Sequence, residues 1–165
     1  MIKPAWYHWA MARQGLAEIP GPGSNPQVVD LWKLGKVKLK VNDDDVPWCA
    51  AFANAALEET GYRGTQSGMA RSFQPSQLFK VCEPHLGAIV VLSSSRGPSS
   101  GHVGFLHAQS GEQVYLIGGN QGNKVVLAPF DRKRVLHYLW PASAPSADLF
   151  PVPFEAVNGV FVSDR

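Results

Sequence analysis

At Gly87 the chain changes period. Before it, apolar residues recur at helical spacing between prolines and glycines placed to start and stop helices. After it, short apolar stretches are separated by Gly, Ser, Pro and Asn turns. Helices first and strands second predict an α+β domain. Short connections between strands can build only an antiparallel sheet, so the helices pack on one side of such a sheet. The 16 Gly and 13 Pro among 165 residues exceed the roughly 12% combined share expected, which disfavours an all-helical bundle. This length fits one domain able to bury its own core.

The first helix is predicted over 4–18, started by Pro4 and stopped by Gly21-Pro22-Gly23. A second, 27–34, puts Val28, Leu31 and Trp32 on one face and ends at Gly35. Residues 36–41 alternate Val37, Leu39 and Val41 with lysines and read as an edge strand or extended loop. The next helix, about 46–60, has an acidic cap candidate in 42–45, Pro47 in its first turn, an alanine-rich body and a closing Gly61. Residues 68–80 read as loop with some helix, and five strands follow at 88–92, 102–108, 113–117, 124–127 and 135–139.

Several function classes drop out. Fifteen basic against thirteen acidic residues leave a net charge of +2, without the basic face of a nucleic-acid binder. The longest aliphatic run, 88–92, falls far short of the ~20 residues that span a bilayer, so no membrane anchor is expected. Met1-Ile2-Lys3 and Ala10-Met11-Ala12 mimic the ends of a signal peptide, but Pro4, Tyr7 and His8 break the apolar region between them. The expectation is synthesis in the cytoplasm, with release or delivery needed for action elsewhere. Neither Cys49 nor Cys82 belongs to a CxxC pair or a His-rich cluster, so no metal and no cofactor are expected, nor is a Cys49–Cys82 disulfide.

Cys49 carries the chemistry. In the first turn of a helix it feels the positive end of the macrodipole and unpaired N–H groups, which favour thiolate over thiol. Its proton partner is sought among His8, His85, His102, His107 and His137. His102 opens a strand between glycines, leaving room for a substrate. His107 lies five positions on, which sends its ring to the opposite face of a regular strand. A base needs a third group to hold its tautomer. Pairing of the two strands joined at Ser110-Gly111 places Asn120, the first polar side chain after Gly118-Gly119, next to His102. The backbone N–H of Cys49 is the natural oxyanion donor, with Gln121 and Asn42 as candidates for a second. Gln121 and Trp48 are the candidate substrate-binding residues.

Five ordered motifs resemble a known family: Glu18-Ile19-Pro20-Gly21-Pro22-Gly23-Ser24-Asn25-Pro26, Pro47-Trp48-Cys49-Ala50-Ala51-Phe52, Ala70-Arg71-Ser72-Phe73, Gly101-His102-Val103-Gly104-Phe105 and Gly118-Gly119-Asn120-Gln121. They are similar to the papain-like cell-wall hydrolases of the NlpC and CHAP (cysteine, histidine-dependent amidohydrolase/peptidase) type, closest to a phage and bacterial subgroup. The resemblance covers about residues 4–141 and implies a papain-like fold, peptidoglycan as substrate, and Cys49, His102 and Asn120 as the catalytic set. Action at the cell wall follows, with a delivery apparatus or an immunity protein as conceivable partners. A non-catalytic module of a phage tail or secretion particle, and acyl transfer to an acceptor other than water, are the alternatives.

The chain thus divides into a hydrolase domain, 1–141, and a segment, 142–165, outside the resemblance. That segment begins with a Pro/Ala/Ser joint and carries Phe150, Phe154, Val157, Val160 and Phe161. Such an apolar stretch is expected to pack on the N-terminal helices or the sheet edge rather than stand in water.

Overall fold

The computed structural model describes residues 3–21, 23–39 and 47–151. Three helices, α1 (Ala5–Met11), α2 (Pro26–Leu34) and α3 (Cys49–Glu59), precede six strands. These are β1 (Phe79–Val81), β2 (Ile89–Ser93), β3 (Gly101–Ser110), β4 (Gln113–Gly118), β5 (Val126–Asp131) and β6 (Val135–Pro141). They form one antiparallel sheet in the order β1-β6-β2-β3-β4-β5. The predicted α+β class holds, with the helices packed on the sheet.

Helix α3 is the centre of the core. Every residue from Cys49 to Leu57 is buried, so the helix is enclosed on all sides rather than amphipathic. Its alanines let neighbours come close: a methyl at Gly35, the cap of α2, would stand 2.9 Å from Asn54 Cβ and 3.0 Å from the Ala51 carbonyl. The helix begins at Cys49 rather than near 46, with Trp48 in the cap position making no side-chain cap. The acidic cap candidates in 42–45 lie outside the described residues.

Other boundaries differ for identifiable reasons. Helix α1 stops at Met11 instead of 18, because the backbone turns toward the sheet. Gly15, at φ +96°, donates to the Val125 carbonyl at 2.9 Å, and Ala17 bridges Lys124. Helix α2 matches its prediction to within one residue, capped by Asn25, whose side chain accepts from the Gln27 N–H at 2.9 Å. No strand forms over 37–39; residues 40 and 41 lie outside the described set. The sheet has six strands rather than about five, since residues 79–81, read as loop, pair with β6. Strand β5 starts at Val126 rather than 124 and includes Pro129, tolerated because β5 is an edge.

The sheet is strongly curled, and the connectivity demands it. Three strands separate β5 from β6, about 19 Å across a flat sheet at ~4.8 Å per step. Yet only Arg132–Arg134 join them, and the chain from Asp131 to Val135 reaches at most about 14 Å. The curl brings Phe130 of β5 against His102 of β3, ring centroids 5.3 Å apart.

The first part of the C-terminal segment lies against β6 and the turn before β2. Phe150 is buried, lies 5.7 Å from the Trp140 ring of β6, and accepts at its carbonyl from the Leu86 N–H at 2.8 Å. Trp140 Nε1 donates to the Pro145 carbonyl at 2.9 Å. Phe154, Val157, Val160 and Phe161 lie outside the described residues.

Candidate active site

Cys49 is the first residue of α3 and 4% exposed. As at any helix start, its backbone N–H has no intrahelical partner. Preceding it, Trp48 is fully buried and donates from Nε1 to Glu18 Oε1 at 2.8 Å. Of the two places open to Trp48, the cleft and the core, it takes the core, tied to the 16–21 segment. The end of β4 packs directly on this turn, and only glycine fits there. A methyl at Gly119 would lie 2.6 Å from Phe52 Cβ and 2.9 Å from Trp48 Cε3.

His102, at the start of β3, is fully buried. The described hydrogen bond of its ring goes to Gln121, not to Asn120. Nε2 of His102 meets Gln121 Oε1 at 2.9 Å, while neither side-chain polar atom of buried Asn120 has a hydrogen-bond partner among the described residues. The β3–β4 register, Phe105 opposite Ile117, would put residue 120 opposite 102 if it ran on. Instead β4 ends at Gly118, and the backbone enters the left-handed region at Asn120, φ +57°. Gln121 then pairs with Lys124, its N–H donating to that carbonyl at 2.9 Å.

The Gln121 amide is fixed at both ends. Its Nε2 donates to the Leu116 carbonyl at 3.1 Å and the Val126 carbonyl at 2.6 Å. Oε1 is therefore the acceptor, and Nε2 of His102 must carry the proton of that bond, which leaves Nδ1 for another partner. Two glycines make room. A methyl at Gly104 would touch Oε1 at 3.4 Å, and one at Gly118 would overlap it. With all its polar atoms committed, Gln121 has no donor left for an oxyanion or a substrate, contrary to expectation. Asn42, the other oxyanion candidate, lies outside the described residues.

Burial works to raise the Cys49 thiol above its ordinary value. It is outweighed by the charge of His102, a hydrogen bond from that ring, and the backbone N–H groups of Val103 and Ala50, so the thiol is lowered on balance. Cys82 is pushed up to about 12 by its own partial burial and by Glu83. Both cysteines are free. Because the thiolate is the reactive form, iodoacetamide at neutral pH is expected to label Cys49 and spare Cys82. In His102→Ala the half-labelling pH of Cys49 moves upward, since the charge and hydrogen bond of the ring no longer oppose burial and only the backbone N–H groups remain. Peptide mass spectrometry across a pH series checks this; equal labelling of both cysteines would contradict it.

Two of the other histidines, His107 and His85, have other partners. His107 sits at a bulge in β3, so strand parity does not decide which way it faces. Its partners do: Nδ1 meets the Tyr7 hydroxyl at 2.6 Å and the two rings stack. His85 lies 3.7 Å from Asp148 and packs on Trp140. Among the described residues no group of three or more His, Cys, Asp or Glu side chains could hold a metal.

The arrangement joins an activated thiol, an imidazole of defined tautomer and a fixed amide acceptor, the parts needed for acyl transfer through sulfur. Residues 41–120 match the family model of the CHAP domain. The match includes Cys49 and His102, is consistent with a cell-wall hydrolase of the CHAP/NlpC type, and ends one residue before Gln121. No curated protein and no solved structure shows significant similarity to the chain.

Proposed function

We propose, with the CHAP domain match over residues 41–120 as premise, that the chain is a peptidoglycan hydrolase cleaving an amide or peptide bond through a cysteinyl thioester. The observation that carries this reading is the lowered Cys49 thiol at the start of α3, coupled to a His102 whose far nitrogen is held by Gln121.

Nδ1 of His102 takes the thiol proton, and the sulfur attacks the carbonyl carbon of the scissile amide. The backbone N–H of Cys49 faces the developing oxyanion. As the C–N bond breaks, the imidazolium returns its proton to the leaving amine, and the acyl group remains on sulfur as a thioester. Water then attacks this carbonyl, giving one proton to His102, and the thiol is restored as the carboxylic acid departs. Gln121 holds Nε2–H throughout, which keeps Nδ1 aimed at sulfur. Peptidoglycan places the chemistry at the cell wall. Among the described residues no helix is long and apolar enough to cross a membrane.

Mass spectrometry of fragments released from purified peptidoglycan tests the reading. New amino and carboxyl termini with uncut glycan chains are expected. Release of sugar ends without new amines, or no release at all, would overturn it.

A further inference from the structure

Arg71 occupies a 3-10 turn, Ala70–Ser72, held against β3 by buried Ala70 and Phe73. The turn is braced at Ser72, whose hydroxyl donates to the Met69 carbonyl at 2.6 Å and meets Thr65 Oγ1 at 2.7 Å. From there the arginine stem reaches across the start of β3. Its Nε donates to the Ser100 carbonyl at 2.8 Å, two residues before His102. Gly101 allows the crossing: a methyl there would lie 3.0 Å from Nε and 2.7 Å from the Leu92 carbonyl. Arg71 is half-buried, yet no carboxylate among the described residues lies within ion-pair distance of it. A second guanidinium stands nearby. Arg134 donates through Nε and Nη2 to the carbonyl of Ser93, the residue paired with Gly101.

We infer that Arg71 binds a free carboxylate of the substrate's peptide. With Nε committed to Ser100, the Nη1–Nη2 edge is the one available, and it matches the two oxygens of a carboxylate. The anchor fixes the guanidinium before substrate arrives, so little side-chain freedom is lost on binding. Arg134 adds positive potential on the same strand end. The stem peptides of peptidoglycan carry free carboxylates, some of which can be amidated, and Arg71 separates the two forms. This assignment rests on the hydrolase reading for its substrate and deepens it.

The test uses Cys49→Ala protein, which binds without turnover. Two probes are compared by calorimetry: a muropeptide with free carboxylates and the same muropeptide converted to its carboxamides. The free form is expected to bind roughly 10- to 100-fold more tightly, the range of a hydrogen bond to a charged group. In Cys49→Ala/Arg71→Met the free form falls to the level of the amide. Arg71→Met alone, with Cys49 intact, should still be alkylated at the wild-type rate, which shows an undisturbed site. A preference that survives Arg71→Met, or no preference in its presence, overturns the assignment. Digestion of whole peptidoglycan by the unmutated protein is run alongside. Digestion without a carboxylate preference sinks only the role of Arg71, and a preference without digestion sinks only the hydrolase reading.

Discussion

Cys49→Ala and His102→Ala are each expected to reduce fragment release from peptidoglycan to background, a loss on the order of 10⁶ in rate, because in the proposed mechanism nucleophile and base act as a unit and neither works alone. The two losses have different causes. Without the sulfur there is no thioester. Without the imidazole the thiol persists, but burial then raises its pKa and no group protonates the leaving amine. Folding should survive both changes, since the sulfur lies at the start of α3 and loss of the imidazole leaves one buried acceptor, Gln121 Oε1, without its bond, a cost of about 1–3 kcal/mol. Release rates at equal protein concentration, with thermal melts of each variant, measure this. Wild-type release by Cys49→Ala would end the cysteine mechanism.

The second large effect separates two adjacent residues. Gln121→Leu keeps an apolar stem, one atom shorter, but leaves Nε2–H of His102 and the carbonyls of Leu116 and Val126 without the Gln121 amide. A fall of roughly 10²–10⁴ in kcat is expected, the scale seen when the orienting member of a triad is lost, together with about 1–3 kcal/mol of stability. Asn120→Gly accepts the left-handed backbone and removes an amide that bonds to nothing among the described residues. Its rate should stay within a few-fold of wild type. Steady-state kinetics on a soluble muropeptide, with melts for both variants, decides the matter; an Asn120→Gly loss as deep as that of Gln121→Leu would return the orienting role to Asn120.

This pair also marks where sequence reasoning stops. The strand pairing read from the Ser110-Gly111 turn is right as far as Gly118, and it leads to the four-residue motif that holds Gln121. What it misses is the left-handed turn at Asn120, which takes that side chain off the pairing line and lets the longer glutamine return beneath Gly104 and Gly118. The motif itself held the clue, since two glycines facing one another across neighbouring strands leave a slot that some side chain must fill. The positions of Cys49 at a helix start and His102 at a strand start were legible because local signals mark them: a proline and a closing glycine around a helix, and glycines flanking a strand histidine. Features set by distant contacts were not legible. Residues 79–81 become a strand only because β6 lies beside them, and α1 ends early because Gly15 bonds to Val125.

The order of strands has a consequence for where this chain can be cut. The family match closes at residue 120, but β2 takes one of its two neighbours from β6, at 135–141, and β4 takes one of its own from β5. A fragment trimmed to the matched segment would bare two hydrogen-bonding edges of the central strands, templates for pairing between copies. It would also lack Gln121 and the Phe130 ring that covers His102. The smallest piece expected to stay soluble on its own therefore extends through β6, well beyond the segment that matches the family model.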